Sequence, residues 1–129
     1  MDEYGIYNGI GINNPTFQSP GIDGYGTCLY LDRSREQVMN VSSPPLFDMS
    51  YKSFSLIVWV KATTLRYGIP SVDSDSAIFG QTDVNIQSRS LHMNVRNNRN
   101  YFGFYGDDTQ GNQSLAVGIW YHVSWKTII

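Results

Sequence analysis

The stretch Phe54-Ser55-Leu56-Ile57-Val58-Trp59-Val60-Lys61 decides the fold that we predict for this chain. Its side chains alternate between two faces, with Phe54, Leu56, Val58 and Val60 on one and Ser55, Ile57, Trp59 and Lys61 on the other. A period of two is typical of a β-strand, since a helix would need apolar positions three and four apart. The β-branched residues in the stretch also disfavour a helix. We therefore predict a strand over residues 53–61.

Further strands are predicted on both sides of this stretch. Leu91, Met93 and Val95 alternate with polar residues, and after the turn signal Asn97-Asn98 the chain returns as Tyr101–Tyr105, which predicts a hairpin. Shorter strands are predicted over 27–31 and 37–42, which a polar turn joins, and over 77–81 and 119–129. Loops are predicted over 1–26, with one short strand near 4–9, over 64–75 and over 107–112. Because no helical period separates these strands, the predicted fold class is an all-β antiparallel β-sandwich or barrel.

Length, composition and charge limit the class of protein. The chain has 129 residues, enough for one domain, and its 41% hydrophobic and 16% charged residues are typical of a globular protein. A formal net charge of −2 and scattered basic residues predict no nucleic-acid partner. No apolar segment is long enough to predict a membrane span, and the first residues do not resemble a signal peptide. The single cysteine, Cys28, is either a buried thiol or the partner of a cysteine beyond this chain.

Several stretches of the chain resemble one known family, the laminin-G-like domains of the concanavalin-A-like lectin/glucanase superfamily. The stretch quoted above is similar to that family's F-T-[IV]-S-x-W-[VI]-[KR] strand, and Gly118-Ile119-Trp120-Tyr121-His122-Val123-Ser124 is similar to its G-x-W-Y-H-V-[AST] strand. The segments Ile78–Gln81, Leu91–Asn97 and Tyr101–Tyr105 resemble its central hairpin, and residues 19–29 resemble its glycine-rich entry. The resemblance covers about residues 19–124. It implies a jelly-roll sandwich, with residues 1–129 as a single domain.

The resemblance stops before the family's last strands. None of the family's closing motifs follows Lys126-Thr127-Ile128-Ile129, so the resemblance implies a partial domain that lacks its C-terminal strands. It also implies an extracellular or cell-surface module that binds carbohydrate, glycoprotein or matrix ligands without catalysis. A structural spacer domain of a larger extracellular protein and a truncated, non-functional fragment are the two alternatives.

Catalysis is not expected from the acidic residues. The superfamily includes glucanases, and glycoside hydrolysis needs two carboxyl groups facing one another across the scissile bond. The only glutamates are Glu3 and Glu36, one near the terminus and one in a predicted turn, and no Gly-x-Ser-x-Gly elbow is present. The two histidines, His92 and His122, lie in predicted strands, and a structural role beside Trp120 is expected for His122. We therefore predict that the chain is not an enzyme and requires no cofactor.

Calcium is the one cofactor that the sequence leaves open. Related domains hold Ca²⁺ at the rim of the sandwich, and hard cations prefer several oxygen ligands from loops. Asp73 and Asp75 in one predicted loop, and Asp107 and Asp108 in another, have this composition. Aspartates are also ordinary turn residues, so solvated turns are the alternative.

Exposed aromatic side chains are the candidates for ligand binding. Trp59 lies on the face opposite Phe54, Leu56 and Val58, and Tyr101 and Tyr105 lie opposite Phe102 and Phe104. Such rings stack on sugars while polar neighbours form hydrogen bonds, and the alternative for Trp59 is packing between the two layers of the sandwich. If the protein is secreted, the sequons at Asn40 and Asn112 are candidate glycosylation sites.

Overall fold

The computed structural model describes residues 8–41, 51–66, 75–82 and 90–128, and within these ranges the chain is all-β. The only helical segments there are two single 3₁₀ turns, Ile22–Gly24 and Arg33–Arg35. No helix in the described ranges has the length and apolar character needed to cross a membrane. Ten strands are described, and every strand pair with an assigned register is antiparallel. In chain order the strands are β1 (Gly9–Ile12), β2 (Thr16–Gln18), β3 (Cys28–Tyr30), β4 (Val38–Val41), β5 (Phe54–Lys61), β6 (Ser76–Thr82), β7 (Ser90–Arg96), β8 (Arg99–Phe104), β9 (Asp107–Ser114) and β10 (Trp120–Thr127).

The chain divides into two compact units, and the first consists of Met1–Phe54 with Thr127–Ile129. In it, β1 pairs with β4 and β2 pairs with β3. The strands predicted over 27–31 and 37–42 exist as β3 and β4, but they do not pair with each other. The prediction of a loop over 1–26 was also wrong in part, because β1 and β2 lie in that segment and supply the partners for β3 and β4.

A buried glutamine holds the turns of the first unit together. The side chain of Gln37 donates to the carbonyls of Asn13 and Asn14, at 3.0 and 2.8 Å, and accepts from the amide of Asp32 at 2.8 Å. Asn13 and Asn14 have φ values of 58° and 54°, the left-handed conformation that asparagine tolerates better than most residues. Gln37 thereby satisfies two carbonyls that the turn between β1 and β2 leaves outside any strand pair.

The Asp32 carboxylate caps the turn that precedes β4. It accepts hydrogen bonds from the amide and the hydroxyl of Ser34, at 2.9 and 2.7 Å. These bonds to Ser34 stabilise the ionised form and lower the pKa of Asp32 below its usual value.

The second unit, Ser55–Lys126, contains a four-stranded antiparallel sheet in the order β6-β7-β8-β9. The predicted hairpin is confirmed as β7 and β8, with Arg96 paired with Arg99 across the turn. Asn97 and Asn98 have φ values of 48° and 57°, as a two-residue hairpin turn with the twist of its strands requires. On the inner face of the sheet Leu91, Met93 and Val95 are buried together with Phe102 of β8.

The polar segment after the hairpin is a strand, where a loop was predicted. Residues 107–114 form β9, in which Asp108 pairs with Gly103 and Gln110 with Tyr101. The residues of β9 are exposed apart from Gly111 and none of them is a large apolar residue, so no apolar alternation marks the strand in the sequence. Backbone pairing with β8 is what makes this segment extended.

A second layer in this unit is formed by β5 and β10, which pair with each other. The alternation predicted for β5 is confirmed, because Leu56 and Val58 are partly buried while Ile57 and Trp59 are exposed. From β10, Val123 is buried and the ring of Trp125 stacks on that of Phe102 of β8, with ring centroids 5.2 Å apart. Residues 55–126 are therefore a two-layered antiparallel β-sandwich whose interior is lined by alternate residues of each strand.

Candidate functional site

The outer surface of the β5–β10 layer carries a group of exposed or partly exposed side chains that we call the aromatic face. It consists of Ile57, Trp59 and Lys61 from β5 and Trp120 and His122 from β10. Trp59 is 51% exposed and its ring centroid lies 4.8 Å from that of His122, at a tilt of 39°. The Lys61 ammonium lies 5.0 Å from the centroid of the Trp120 ring. Each of these pairs joins the two strands across the surface.

The aromatic face combines stacking surface with positive charge. Neither β5 nor β10 contains an acidic residue, and the charged side chains on these strands are Lys61 and Lys126. Indole rings present an apolar surface with a polar N–H at the edge, and the lysine and histidine beside them are hydrogen-bond donors. Such a surface suits a ligand with apolar C–H groups on one side and hydroxyl or carboxyl oxygens around it.

The sequence placed Trp59 correctly on the face opposite Leu56, and the structure shows that this face is directed away from the four-stranded sheet. His122, for which a structural role beside Trp120 was expected, lies on the same face of β10 as Trp120, and its ring contacts that of Trp59. The register between β5 and β10 sets Trp59 next to His122 and Lys61 next to Trp120. This register between two strands far apart in the chain could not be read from either strand alone.

The outer surface of the four-stranded sheet carries a network that the sequence analysis did not find. Arg96 forms two hydrogen bonds to the Asp75 carboxylate through Nε and Nη2, and Asn94 donates to the same carboxylate at 2.9 Å. The hydrogen bond to Asp75 raises the pKa of Arg96 above its usual value. The guanidinium also lies 4.1 Å from the centroid of the Tyr101 ring. Among the candidate binding residues, Tyr101 is thus the one whose ring face is in contact with a cation, the Arg96 guanidinium.

A second side-chain contact crosses the same surface between strands that are not neighbours. His92 on β7 and Asp108 on β9 approach with Nε2 and Oδ1 3.0 Å apart, although the two groups are not aligned as a hydrogen bond. The strand between them contributes Gly103, which pairs with both residues. Because glycine has no side chain, the two side chains meet above its backbone.

Of the four aspartates predicted as calcium ligands, the three that the structure describes do not cluster as a metal site. Asp75 binds Arg96 and Asn94, Asp108 lies against His92, and Asp107 is exposed at the start of β9. Asp73 lies outside the described residues. Across the described ranges, no three His, Cys, Asp or Glu side chains are close enough together to hold a metal ion. Calcium binding at Asp73, Asp75, Asp107 and Asp108 stays a prediction.

The remaining candidate residues are not members of the aromatic face as defined above. Tyr105 follows β8 and is 53% exposed, with its amide bonded to the carbonyl of Ser90. Asn40 and Asn112 are exposed, and both lie within strands, β4 and β9, so the prediction of a loop position for Asn112 was wrong. Cys28 is a free, partly buried cysteine whose thiol lies 3.5 Å from the carbonyl oxygen of Gln18.

The fold and these surfaces define an all-β antiparallel protein with a sandwich in residues 55–126 and an aromatic face on one of its layers. Comparison with known proteins adds no relative to this description, since no family model, no curated protein and no solved structure matches the chain.

Proposed function

We propose that this chain is a non-catalytic recognition module of the laminin-G-like kind, which binds carbohydrate at the cell surface or in the extracellular matrix. The observation that carries the proposal is Trp59, a half-exposed indole held against His122 on the outside of a sheet. Because the indole side chain is large, a tryptophan that served packing alone would be expected in the interior of a sandwich. Its place on the surface supports a role in binding.

The aromatic face offers the contacts that a sugar ring needs. The C–H groups of a pyranose can stack on the open part of the Trp59 ring, as they do on aromatic surfaces in general. His122 and Lys61 lie on either side along the same surface and donate hydrogen bonds to ring hydroxyls. Since the rings are held by pairing between the strands, little side-chain entropy is lost on binding.

The proposal includes no hydrolysis of the bound glycan. Hydrolysis needs a pair of carboxyl groups placed on opposite sides of the glycosidic bond. The aromatic face has no carboxylate from either of its strands, and the Asp75 and Asp108 carboxylates of the other layer bind Arg96 and lie against His92. The aromatic face thus supplies stacking and hydrogen-bond donors alone.

A glycan array probed with the full chain tests the proposal, with Trp59→Ala as the decisive variant. We expect binding to a limited set of glycans, weakened at least tenfold by Trp59→Ala, which corresponds to about 1.4 kcal/mol. Tyr25→Ala is the matched control, because Tyr25 is an aromatic residue that is even more exposed but lies in the first unit. Circular dichroism of both variants establishes that they fold.

The outcomes separate binding from the alternative role as a spacer. Loss of glycan binding in Trp59→Ala with retention in Tyr25→Ala supports recognition through the aromatic face. Absence of binding to any glycan, or equal binding by the two variants, contradicts the proposal. Absence of binding to any glycan favours a spacer domain whose surface rings have no ligand.

A further inference from the structure

The two lysines of the β5–β10 layer lie at opposite ends of its outer surface. Lys61 ends β5, and its ammonium lies 5.0 Å from the centroid of the Trp120 ring at the start of β10. Lys126 lies near the other end of β10. At about 3.3 Å per residue, the distance along the strand from Trp120 to Lys126 is roughly 20 Å.

Lys126 is on the same side of β10 as the aromatic face. His122, Ser124 and Lys126 are exposed, whereas the residues between them are buried or partly buried. Because successive side chains of a strand are directed to opposite faces, the three exposed residues share one surface. This surface therefore extends beyond the aromatic face and has a lysine at each end.

The surface between the two lysines carries no negative charge from either strand, since neither β5 nor β10 contains an aspartate or glutamate. Ile57 is 64% exposed and lies on the same face of β5 as Trp59, so both offer apolar surface to the C–H groups of a sugar. His122 and Ser124 offer hydrogen-bonding groups beside them. A ligand lying along the strands thus contacts uncharged sugar-binding groups in the middle and a cation at each end.

Each lysine acts on such a ligand as a separate point charge. A separation of roughly 20 Å exceeds the Debye length of about 8 Å at physiological ionic strength. The Lys61 ammonium also keeps N–H groups for an anion while it lies beside the Trp120 ring, because a lysine has three donors. Negative charges placed between the lysines would instead lie against Trp59 and Ile57, where they gain no partner.

We propose that the ligand of this surface is an acidic oligosaccharide whose negative charges are widely spaced among neutral sugars. This proposal rests on the carbohydrate recognition proposed above and specifies its ligand class. Neutral sugars stack on Trp59 and Ile57, and acidic substituents, carboxylate or sulfate, bind Lys61 and Lys126. A neutral glycan makes the first set of contacts without the second and binds more weakly.

Glycans presented in matched pairs test the ligand class. Each acidic glycan is accompanied by its own neutral form, which is carboxyl-reduced for glucuronoxylan and sialyl oligosaccharides and desulfated for a sparsely sulfated galactan. In the pairs that the full chain recognises, we expect about tenfold tighter binding of the acidic member, as two exposed charge contacts of about threefold each provide. This preference should decrease several-fold when NaCl is raised from about 0.05 to about 0.5 M. Heparin and polygalacturonate, whose charges are close together, should bind no more tightly than the sparsely charged glycans.

Two lysine variants locate the acidic groups. Lys61→Gln and Lys126→Gln should each weaken binding of the preferred acidic glycan about threefold, and the double variant about tenfold, since contacts this far apart add. Arg35→Gln is the matched control, because it removes one exposed positive charge in the first unit and should leave binding unchanged. Circular dichroism of each variant establishes that it folds.

The outcomes distinguish this proposal from the proposed function. Equal binding within every pair that the chain recognises overturns the ligand class and leaves carbohydrate recognition in place, as does equal weakening by the lysine variants and Arg35→Gln. Tighter binding of heparin than of any sparsely charged glycan also overturns it. Absence of binding to any glycan contradicts the proposed function, and the ligand class with it.

Discussion

At the scale of the residue, Gly103 determines how the outer surface of the four-stranded sheet is arranged. A Cβ at this position would lie 2.3 Å from the Asp107 carbonyl oxygen and 2.7 Å from Oδ1 of Asp108. The close approach of β9 to β8, and the contact of Asp108 with His92 over the intervening strand, both need a residue without a side chain here.

Gly103→Ala is therefore expected to destabilise the second unit by about 2 kcal/mol, since the backbone of β9 must move away from the added methyl group. The measurement is urea unfolding followed by tryptophan fluorescence, because Trp59, Trp120 and Trp125 all lie in this unit. Gly80→Ala is the control on the same sheet. A Cβ on Gly80 meets only the Leu91 carbonyl oxygen, at 3.9 Å, so its unfolding midpoint should change little. Equal stability of the two variants would refute this role of Gly103.

At the scale of the element, the turns of the first unit depend on Gln37. Its side chain forms hydrogen bonds with backbone groups of these turns that have no partner in a neighbouring strand. Gln37→Ala leaves the Asn13 and Asn14 carbonyls and the Asp32 amide without their partner, and the expected loss is about 1–3 kcal/mol.

Amide hydrogen exchange measures this loss at the position concerned. The Asp32 amide donates to the Gln37 side chain, so it should exchange faster in Gln37→Ala than in the unchanged chain. Asn40→Ala, an exposed substitution on β4, the strand that follows Gln37, is the control and should leave the Asp32 amide protected. Unchanged exchange of Asp32 in Gln37→Ala would show that other contacts hold these turns.

The elements that could be predicted from sequence are those whose local pattern and tertiary surroundings agree. In β5 the alternation of apolar residues in the sequence matches the alternation of burial in the structure. Asn97 and Asn98 both adopt positive φ, which asparagine tolerates, as their two-residue turn requires. β9 could not be predicted, because its side chains are almost all exposed and its extended form comes from pairing with β8. The pairing of β3 with β2, and of β4 with β1, likewise depends on contacts between strands and not on the turn that joins β3 to β4.

The candidate site, too, could be predicted from local sequence patterns only in part. The alternation of β5 was sufficient to place Trp59 on its outer face, but its contact with His122 depends on the register with β10. The contact between His92 and Asp108 joins β7 and β9 across the intervening β8, and the sequence of one strand alone does not indicate such a contact. The one signal available was a glycine within a predicted strand, at Gly103, which often marks a close approach of another backbone.

At the scale of the whole molecule, exposed apolar side chains occur in both units while the net charge is small. Phe17 in the first unit and Ile57 and Ile119 in the second are more than half exposed. With a formal net charge of −2 at neutral pH and an isoelectric point near 5.5, electrostatic repulsion between molecules is weak and vanishes on mild acidification.

We expect the chain to self-associate more strongly at pH 5.5 than at pH 8, because apolar contacts between molecules are then unopposed by charge. Static light scattering at about 100 µM measures the effect, and far-ultraviolet circular dichroism at both pH values controls for unfolding. Phe17→Lys adds a positive charge and removes an exposed ring, so it should reduce association at pH 5.5. A mass of 14.6 kDa for the unchanged chain at both pH values would contradict the expectation.

The positions of the indoles have a practical consequence for spectroscopy. Trp125 is stacked in the interior on Phe102, whereas Trp59 lies half in solvent beside His122. Emission from the shielded ring is blue-shifted and resists collisional quenching by iodide, while the solvated ring emits at longer wavelength and is quenched readily. Trp125 is thus an optical reporter for the packing between the two layers, and Trp59 is one for events on the outer surface.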